Sequence, residues 1–336
     1  MASPGARRVA AIDCGTNSLR LLIADIDAGR RELADVQRRM EIVRLGQGVD
    51  ATGKLAPDAL ARTFTMLEEY ALAITAAGAE AVRLVATSAT RDASNSAEFS
   101  SGVRRILGVD PEVISGADEA YLSFSGATAE LGAPAEPAEL DRAGRPEPPY
   151  LAVDIGGGST EFVFGEAGAG RDDLAAISVN IGCVRLTERH LHDDPPARAQ
   201  VDAATADVDA ALATVAASVP AAQARTLVGL AGSVTTVTAL ALGLTAYDPA
   251  LIHHARIGAA RVHEVTTGLL GTNHDQRAAK AVIHPGRVDV IGAGALILDR
   301  VMTTFGFAEM VASEHDILDG IAWSLVPSAA ADHAAP

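Results

Sequence analysis

The chain has 336 residues, of which 49% are hydrophobic and 21% are charged, a composition typical of a globular protein with room for two domains of ordinary size. Its formal net charge is −16 and its pI is about 4.9, so most of its surface repels polyanions. The composition therefore argues against nonspecific binding to DNA or to an anionic membrane. An anionic ligand would need local positive charge or a metal ion.

Two cysteines, Cys14 and Cys183, lie far apart in the sequence, so they form neither a disulfide framework nor a CxxC metal site. The first residues lack the features of a signal peptide, and no apolar run approaches the length needed to span a membrane. We therefore expect a cytoplasmic protein. The sequence has no P-loop motif, and its histidines, among them His253, His254, His274 and His284, lack metal-ligand spacing, so we expect them to be solvated or satisfied internally.

The first predicted elements are a strand at 9–12, a tight turn and a returning strand at 19–26. A helix follows over 57–77, with apolar residues on one face, a proline at its start and a glycine just past its end. Further strands are predicted at 84–86, 151–155, 161–165 and 227–230, and a weaker helical stripe runs from Val201 to Val215. Alternation of such strands with helices predicts an α/β protein.

A proline-rich stretch over 131–150 contains five prolines and no apolar period, which is typical of a linker or loop. We place the domain boundary there. The first domain is then predicted to cover 1–130 and the second 151–310.

An internal repeat links the two halves. Asp13, Gly15 and Ser18 in the first half match Asp154, Gly156 and Ser159 in the second at one fixed offset. The segments 85–90 and 230–235 form a second matched pair at nearly the same separation. The repeat predicts two related domains that present phosphate-sized loops to a common cleft.

Each repeated turn has the pattern Asp-x-Gly-x-x-Ser, which offers several backbone N–H groups in a small concavity suited to phosphate. An aspartate beside a phosphate is repulsive unless a divalent cation lies between them. We therefore interpret Asp13 and Asp154 as metal-associated acids. The alternative for either copy alone is an ordinary β-turn in which Asp caps its own backbone.

The two turns differ in charge, because Arg20 in the first is matched by Glu161 in the second. We interpret Arg20 as a phosphate contact and Glu161 as a metal contact, direct or through water. The alternative, that both are surface charges without a role, stays open.

Two further segments follow buried strands. Thr87, Ser88 and Arg91 combine hydroxyls with a forked guanidinium at a strand end, which indicates an anion clamp. A helix N-cap with a solvated arginine is the open alternative. Gly232 and Ser233 are the uncharged counterpart in the second half, and a glycine there could equally serve close packing of strand and helix.

Ser115 followed by Asp118 resembles a capping box and predicts that Glu119 lies in the first turn of a helix. Acidic residues are common in a first turn because they suit the helix dipole. Composition alone therefore favours a structural role for Glu119.

Taken in order, the motifs resemble those of the exopolyphosphatase/guanosine pentaphosphate phosphohydrolase family. The segments that carry the resemblance are 11–20 (AIDCGTNSLR), 86–95 (ATSATRDASN), 114–120 (ISGADEA), 153–161 (VDIGGGSTE), 284–291 (HPGRVDVI) and 313–320 (SEHDILDG). The resemblance covers about residues 8–325. It implies two related actin-like, or ribonuclease H-like, domains of the sugar kinase/heat-shock ATPase/actin superfamily with an interdomain cleft, in the family's short two-domain form. A C-terminal helix at about 311–327 is expected to pack back on the first domain.

The resemblance also implies a magnesium-dependent hydrolase that removes terminal phosphate from polyphosphate, from guanosine pentaphosphate, or from both. It assigns the catalytic base to Glu119 and metal-associated roles to Asp154 and Glu161. Manganese is the alternative metal, and a monovalent cation such as K⁺ is an open addition. With the hairpin argument, it predicts a metal set of Asp13, Asp154 and Glu161, and a phosphate-binding set of Gly15, Thr16, Asn17, Ser18, Arg20, Thr87, Ser88, Arg91, Gly156, Gly157, Gly158, Ser159, Thr160, Gly232 and Ser233.

Two other functions use the same loops. One is a sensor that binds an alarmone or polyphosphate without hydrolysis, and the other is an actin-like sugar or acid kinase. The retained acids disfavour the sensor, and no acceptor pocket or adenosine site is evident for the kinase. Assembly as a homodimer is left open.

Overall fold

The computed structural model describes residues 5–131 and 146–326, so residues 132–145 of the predicted linker lie outside the described residues. The chain forms two compact units. The first unit contains the residues up to Ser115 and those from Ile317 onward, and the second unit contains Gly116–Asp316.

The first unit is built on a five-stranded sheet with the strand order β3-β2-β1-β4-β5. β2 is antiparallel to β1 and β3, whereas β4 is parallel to β1 and to β5. The strands are β1 (Arg7–Cys14), β2 (Ser18–Asp27), β3 (Glu32–Ile42), β4 (Ala81–Ala86) and β5 (Glu112–Val113). The helices are α1 (Val49–Thr52), α2 (Pro57–Ala77), α3 (Ser88–Asp92), α4 (Ser96–Leu107) and, from the end of the chain, α13 (Ile317–Trp323).

Strand alternation divides the residues of β1 between two faces of this sheet. Ile12 and Cys14 pack with Leu67 and Tyr70 of α2 in one hydrophobic core. The other face of β1 and β2 is covered by α13. Asp319 of α13 is buried and accepts a hydrogen bond from Arg38 of β3 at 2.5 Å. The C-terminal helix therefore completes the first unit.

The second unit repeats this topology. Its sheet has the order β10-β11-β9-β6-β7-β8, in which β7 is antiparallel to β6 and β9 is parallel to it. The strands are β6 (Tyr150–Ile155), β7 (Thr160–Gly165), β8 (Ala175–Val179), β9 (Thr226–Leu230), β10 (Arg256–Gly258) and β11 (Glu309–Ala312). The helices are α5 (Gly116–Thr128), α6 (Cys183–His190), α7 (Arg198–Ser218), α8 (Ala231–Ala241), α9 (Pro249–Ile252), α10 (Ala259–Leu270), α11 (His274–Ala278) and α12 (Ile291–Phe305).

Both faces of the second sheet are covered by helices. Leu151, Val153 and Phe162 face a large core shared with α6, α7, α8, α10 and α12. The opposite face packs on α5 through Ala120 and Phe124. Each unit is thus a ribonuclease H-like α/β layer structure, and the duplication predicted from the sequence is present in the fold.

The element limits differ from the predictions in two places. Helix α5 belongs to the second unit, because its apolar face packs on β6, β7 and β9, so the compact units divide the chain after Ser115 and not at the proline-rich stretch. The helix expected over 311–327 begins only at Ile317, because Glu309–Ala312 pairs with β9 and β10 as a strand. Residue 327 lies outside the described residues.

The predicted helix over 57–77 is confirmed with the same limits. The strands predicted from apolar runs are also confirmed, whereas β3, β5, β8, β10 and β11 were not predicted as strands. Within the described ranges, no helix combines the length and the apolar character needed to traverse a lipid bilayer.

Candidate active site

The two repeated hairpins close in the same way. The N–H of Gly15 donates to the carbonyl of Ser18 at 3.0 Å, and the N–H of Gly156 donates to the carbonyl of Ser159 at 3.0 Å. The cross-strand register is also the same, since Asp13 lies opposite Arg20 and Asp154 lies opposite Glu161. The charge difference noted in the sequence therefore occupies one equivalent position in the two units.

The turn of the second hairpin is held from behind by the start of α6. The N–H of Cys183 donates to the carbonyl of Gly156 at 2.9 Å, and the N–H of Val184 donates to that of Gly157 at 2.9 Å. The side chain of Arg185 donates from Nε to the carbonyl of Gly158 at 2.7 Å. Three successive carbonyls of the turn are thus fixed toward one helix.

The amide groups of this turn face the opposite way, because the C=O and N–H of a trans peptide are antiparallel. Among residues 5–131 and 146–326, the N–H groups of Gly157, Gly158 and Ser159 donate to no protein acceptor. Three adjacent N–H groups on the outer side of a tight turn form an anion-binding nest. The close approach of α6 requires Gly182, since a Cβ there would overlap the backbone of Gly157.

Strand alternation directs the two acids of the second hairpin toward α5. Asp154 shares its face of β6 with Tyr150 and Ala152, which pack against α5, and Glu161 shares its face of β7 with Val163. Both carboxylates are buried. They therefore need polar partners inside the second unit.

Two serine hydroxyls donate hydrogen bonds to these carboxylates. Ser123 of α5 donates to Oδ2 of Asp154 at 2.6 Å, and Ser178 of β8 donates to Oε1 of Glu161 at 2.6 Å. Ser123 lies one helical turn after Glu119, so both side chains share one face of α5. Glu119 is itself buried, with 8% of its surface exposed.

The three acids interact electrostatically. Burial, together with the nearby charges of Glu119 and Asp154, raises the pKa of Glu161 well above its ordinary value. The structure thus brings Glu119, Asp154 and Glu161 into one cluster beside the anion-binding turn. This is the part of the predicted site that lies within one unit.

Adjacent acids on α5 have different environments. Asp118 points outward, is partly exposed and forms an ion pair with Arg171, whereas Glu119 points into the carboxylate cluster. The helix begins at Gly116, as the capping pattern of the sequence predicts to within one residue. The preference for Glu119 over its neighbour is consistent with this orientation.

The first hairpin has a different arrangement of charge. Arg20 donates to Oδ2 of Asp13 from Nε at 2.8 Å, and its Nη2 lies 2.7 Å from the same oxygen. The guanidinium predicted to contact phosphate therefore compensates the aspartate across the strand pair. The apposition of Asp13 with Asp154 stays a prediction.

The first turn is also held from behind. The N–H groups of Val43 and Arg44 donate to the carbonyl of Asn17 at 3.1 and 2.9 Å, and that of Gly46 donates to Thr16 at 2.8 Å. A Cβ at Gly46 would overlap Cγ2 of Thr16. Both hairpin turns thus rest on a segment in which glycine permits close approach.

The structure brings the predicted clamp segment to this first turn. The hydroxyls of Thr16 and Ser88 lie 2.9 Å apart, and the N–H of Thr87 donates to the carbonyl of Cys14 at 3.2 Å. Arg91 lies on α3 and donates to the carbonyl of Ile114 at 2.9 Å. Arg91 therefore has a structural contact at the edge of the sheet, and its predicted contact with substrate stays a prediction.

The segment at the start of α8 contains Gly232 and Ser233, whose predicted contact with phosphate stays a prediction. Ser233 is buried and hydrogen bonds with the thiol of Cys183. The guanidinium of Arg287 lies directly over Gly232, where a Cβ would overlap it. Sequence reasoning did not single out Arg287, although it lies in the segment 284–291 that carries the family resemblance. Glycine at 232 is explained by this arginine, which brings positive charge to the loop.

A histidine cluster also escaped the sequence analysis, because its members are far apart in the chain. Glu130, His253 and His315 each place one ligand-type atom within 4.8 Å of the others. The N–H of Glu314 donates to Nδ1 of His253 at 3.1 Å, so the neutral ring carries its proton on Nε2, which lies 3.2 Å from Glu130. This bond lowers the pKa of Glu130 to about 2.

The duplicated fold, the anion-binding turn and the cluster of three acids define a phosphate-handling protein of the actin-like class. The model of the Ppx/GppA phosphatase family matches residues 22–329 of the sequence. The chain belongs to the Ppx/GppA phosphatase family.

Individual relatives agree with this assignment. The chain is 51% identical to "Exopolyphosphatase 2" of Mycobacterium tuberculosis over 329 residues, which are 95% of this chain and 98% of the relative. It is 36% identical over 185 residues to a guanosine-5'-triphosphate,3'-diphosphate pyrophosphatase of Vibrio cholerae, covering 55% of this chain and 33% of that protein. A crystal structure of an exopolyphosphatase-like protein superposes with a TM-score of 0.87 at 43% identity, covering 96% of this chain and 98% of that one.

Proposed function

We propose that this protein is an exopolyphosphatase that hydrolyses the terminal phosphate of inorganic polyphosphate, and that guanosine pentaphosphate is a second substrate. The single observation that carries the proposal is the position of Glu119. It is a buried carboxylate that is no part of either hairpin, yet it joins Asp154 and Glu161 beside three outward N–H groups. A site that only bound phosphate would not need this third acid.

The donor set fits a divalent cation. Three carboxylates in one buried cluster repel each other, as the raised pKa of Glu161 shows, and oxygen ligands are those that Mg²⁺ prefers. We propose that Asp154 and Glu161 hold Mg²⁺, with Mn²⁺ as a substitute. Bound there, the ion would neutralise charge that develops on the phosphoryl oxygens.

The residues of this chain have separate tasks in the reaction. The amides of Gly157, Gly158 and Ser159 bind the terminal phosphoryl group. Glu119 accepts a proton from water as the water oxygen attacks phosphorus in line with the scissile bond. The bond from phosphorus to the bridging oxygen breaks, and the shortened chain leaves. Arg287 and the loop at Gly232 supply positive charge and backbone for the rest of the substrate.

The relatives support the substrate assignment. The chain matches almost the full length of the mycobacterial relative, which carries the name exopolyphosphatase. The match to the guanosine-5'-triphosphate,3'-diphosphate pyrophosphatase covers about half of this chain. Both names describe the release of phosphate from a phosphoanhydride. The longer and closer match is the reason for placing polyphosphate first.

The test is phosphate release by the purified protein with Mg²⁺, comparing short polyphosphate, long polyphosphate, guanosine pentaphosphate and ATP side by side. We expect the polyphosphates to be the best substrates. Release of phosphate from none of them, with ligand binding intact, would identify a sensor. Transfer of the ATP phosphate to a small alcohol would identify a kinase.

Two variants of α5 separate catalysis from structure. Glu119→Gln should retain substrate binding and lose about a thousandfold in kcat, because a positioned base contributes ~10²–10⁴. Asp118→Asn is the matched control, since Asp118 is the neighbouring acid and faces outward; its kcat should stay within twofold of the wild type. A Glu119→Gln enzyme within tenfold of the wild type would remove Glu119 from the role of base.

A further inference from the structure

We propose that Arg185 is a positioning residue for the phosphate-binding turn, in which its guanidinium fixes the Gly158–Ser159 peptide so that the N–H of Ser159 faces the substrate. The proposal rests on the proposed function for the identity of the substrate. It concerns a residue that no motif of the sequence analysis included.

Each outward N–H of the turn belongs to a peptide whose carbonyl is held by α6. The carbonyl of Gly156 is held by Cys183, and that of Gly157 is held by the N–H groups of Val184 and Arg185 at 2.9 and 3.1 Å. These bonds orient the N–H groups of Gly157 and Gly158. All of them come from the backbone of α6.

The third carbonyl has a different donor. Gly158 lies farther along the turn, and its carbonyl is reached by a side chain, Nε of Arg185, at 2.7 Å. Among the described residues, this is the one side chain in the set of bonds that fixes the three carbonyls. The orientation of the Ser159 N–H therefore depends on residue 185 in a way that the other two N–H groups do not.

The need for such a bond follows from the sequence of the turn. Gly156, Gly157 and Gly158 have no side chains, so their peptides can rotate among many backbone conformations. A rotated Gly158–Ser159 peptide would point its carbonyl toward the phosphate, replacing a donor with a repulsive acceptor. A guanidinium anchors that carbonyl with a charge-assisted bond, which is stronger than one from a neutral donor.

A preorganised N–H donor acts mainly where charge develops in the transition state. Loss of the anchor should therefore lower kcat more than it raises KM. The effect is indirect, so we expect less than the 10²–10³ that removal of a donor itself costs.

The experiment compares Arg185→Met, Arg185→Lys and a control, Arg189→Met. Arg189 lies on the same helix and contacts Asp207 and the carbonyl of Asn180, away from the turn. We expect Arg185→Met to lower kcat on short polyphosphate by about ten- to a hundredfold with KM raised less than fivefold, and Arg185→Lys to recover at least a third of the loss on a logarithmic scale. Arg189→Met should match the wild type within twofold.

A measurement without turnover keeps the inference separate from the proposed function. Binding of inorganic triphosphate, measured by calorimetry in the Glu119→Gln background, should weaken by about two- to fivefold with Arg185→Met, in line with the small rise in KM, while the Tm of the ligand-free protein changes little. Unchanged binding and kcat in Arg185→Met would overturn the inference. An equal loss of kcat in Arg185→Lys and Arg185→Met would also overturn it. A loss of triphosphate binding that is explained by a fall in the Tm of the ligand-free protein would overturn it as well. If the wild type binds triphosphate but hydrolyses nothing, the proposed function fails and the binding comparison still decides the role of Arg185.

Discussion

The two hairpins share one backbone and carry opposite chemistry. Both close with a 3.0 Å bond from glycine to serine, and both rest on a segment with a glycine at the closest approach. In the first, Asp13 is compensated by Arg20 across the strand pair. In the second, Asp154 faces another acid, Glu161, and Glu119 adds a third.

The difference lies in how each hairpin balances its buried charge. An aspartate paired with an arginine has its charge balanced within the strand pair, whereas a cluster of three buried acids costs stability that a bound cation can restore. The two hairpins therefore share one turn and differ in charge at one cross-strand position, which is Arg20 in the first and Glu161 in the second.

Two glycines, Gly182 and Gly46, lie in the segments that pack behind the two turns. An added methyl group should be much more damaging at the first than at the second. In Gly182→Ala, the new Cβ would meet the backbone of Gly157 and Gly158, which has no way to move except by displacing the turn. We expect kcat to fall by at least about a hundredfold and stability to fall by about 1–3 kcal/mol. Phosphate release and urea unfolding measure the two losses.

The counterpart, Gly46→Ala, meets a side-chain methyl of Thr16 and should cost less. Adding Thr16→Ser removes that methyl and keeps the hydroxyl that contacts Ser88, so the double variant should recover part of the loss, while the Cβ atoms of Ala89 and residue 16 stay 3.0 and 3.1 Å from the new methyl. Equal damage from the two alanines, or no recovery with serine, would contradict the distinction between backbone and side-chain contact.

Breaking the ion pair of the first hairpin should destabilise the protein. Arg20→Gln removes the guanidinium from a nearly buried Asp13, and we expect a loss of about 2–3 kcal/mol in unfolding free energy. The double variant Asp13→Asn/Arg20→Gln should be more stable than Arg20→Gln alone, because it removes the buried charge. An additive double variant in a urea titration would show that the pair is not coupled.

Removing a charged group from the second hairpin should have the opposite effect and stabilise the protein. Glu161→Gln removes one of three clustered charges, so we expect the Tm without metal to rise by roughly 2–4 °C at pH 7.5, the shift that about 1 kcal/mol produces in a unit of this size. Activity should fall sharply in the same variant. Added Mg²⁺ should raise the Tm of the wild type more than that of the variant.

The pH dependence of this effect follows from the direction of the pKa shift. Because the folded state raises the pKa of Glu161, it favours the protonated form, and stability present at low pH is lost as pH rises from about 4.5 through the folded value. The advantage of Glu161→Gln should therefore shrink toward acidic pH and grow toward neutral pH. A constant advantage would mean that charge is not its cause.

Much of the fold could be predicted from the sequence, because short-range patterns set it. The helix over 57–77 has an apolar stripe and end signals that lie within its own residues, and its limits were confirmed. The edge strand β3 was missed because Glu32–Ile42 is mostly polar and only partly buried, so it has no apolar run. The unit limits were missed because α5 is defined by what it packs against, which no local pattern reports.

The residues of the candidate site also divide into those that the sequence predicts and those that only the fold reveals. The hairpin turns and the equivalence of Arg20 and Glu161 followed from a repeat that can be counted along the chain. The residues that pack against the loops could not be predicted. Arg185 contacts the backbone of Gly158 and Arg287 lies over Gly232, and each arginine is distant in sequence from the glycine it contacts. A glycine in such a loop indicates that another group packs closely against it, but only the fold identifies that group.

The helix that seals the Asp13 face of the first sheet is α13, which is encoded at the opposite end of the chain from β1 and β2. A nascent chain emerging from the ribosome therefore exposes one bare face of its earliest sheet until residues 317–323 have been synthesised, whereas Gly116–Asp316 is contiguous and can be completed first. Maturation should run against the order of translation, and a prematurely terminated product would present that uncovered apolar sheet to chaperones and proteases.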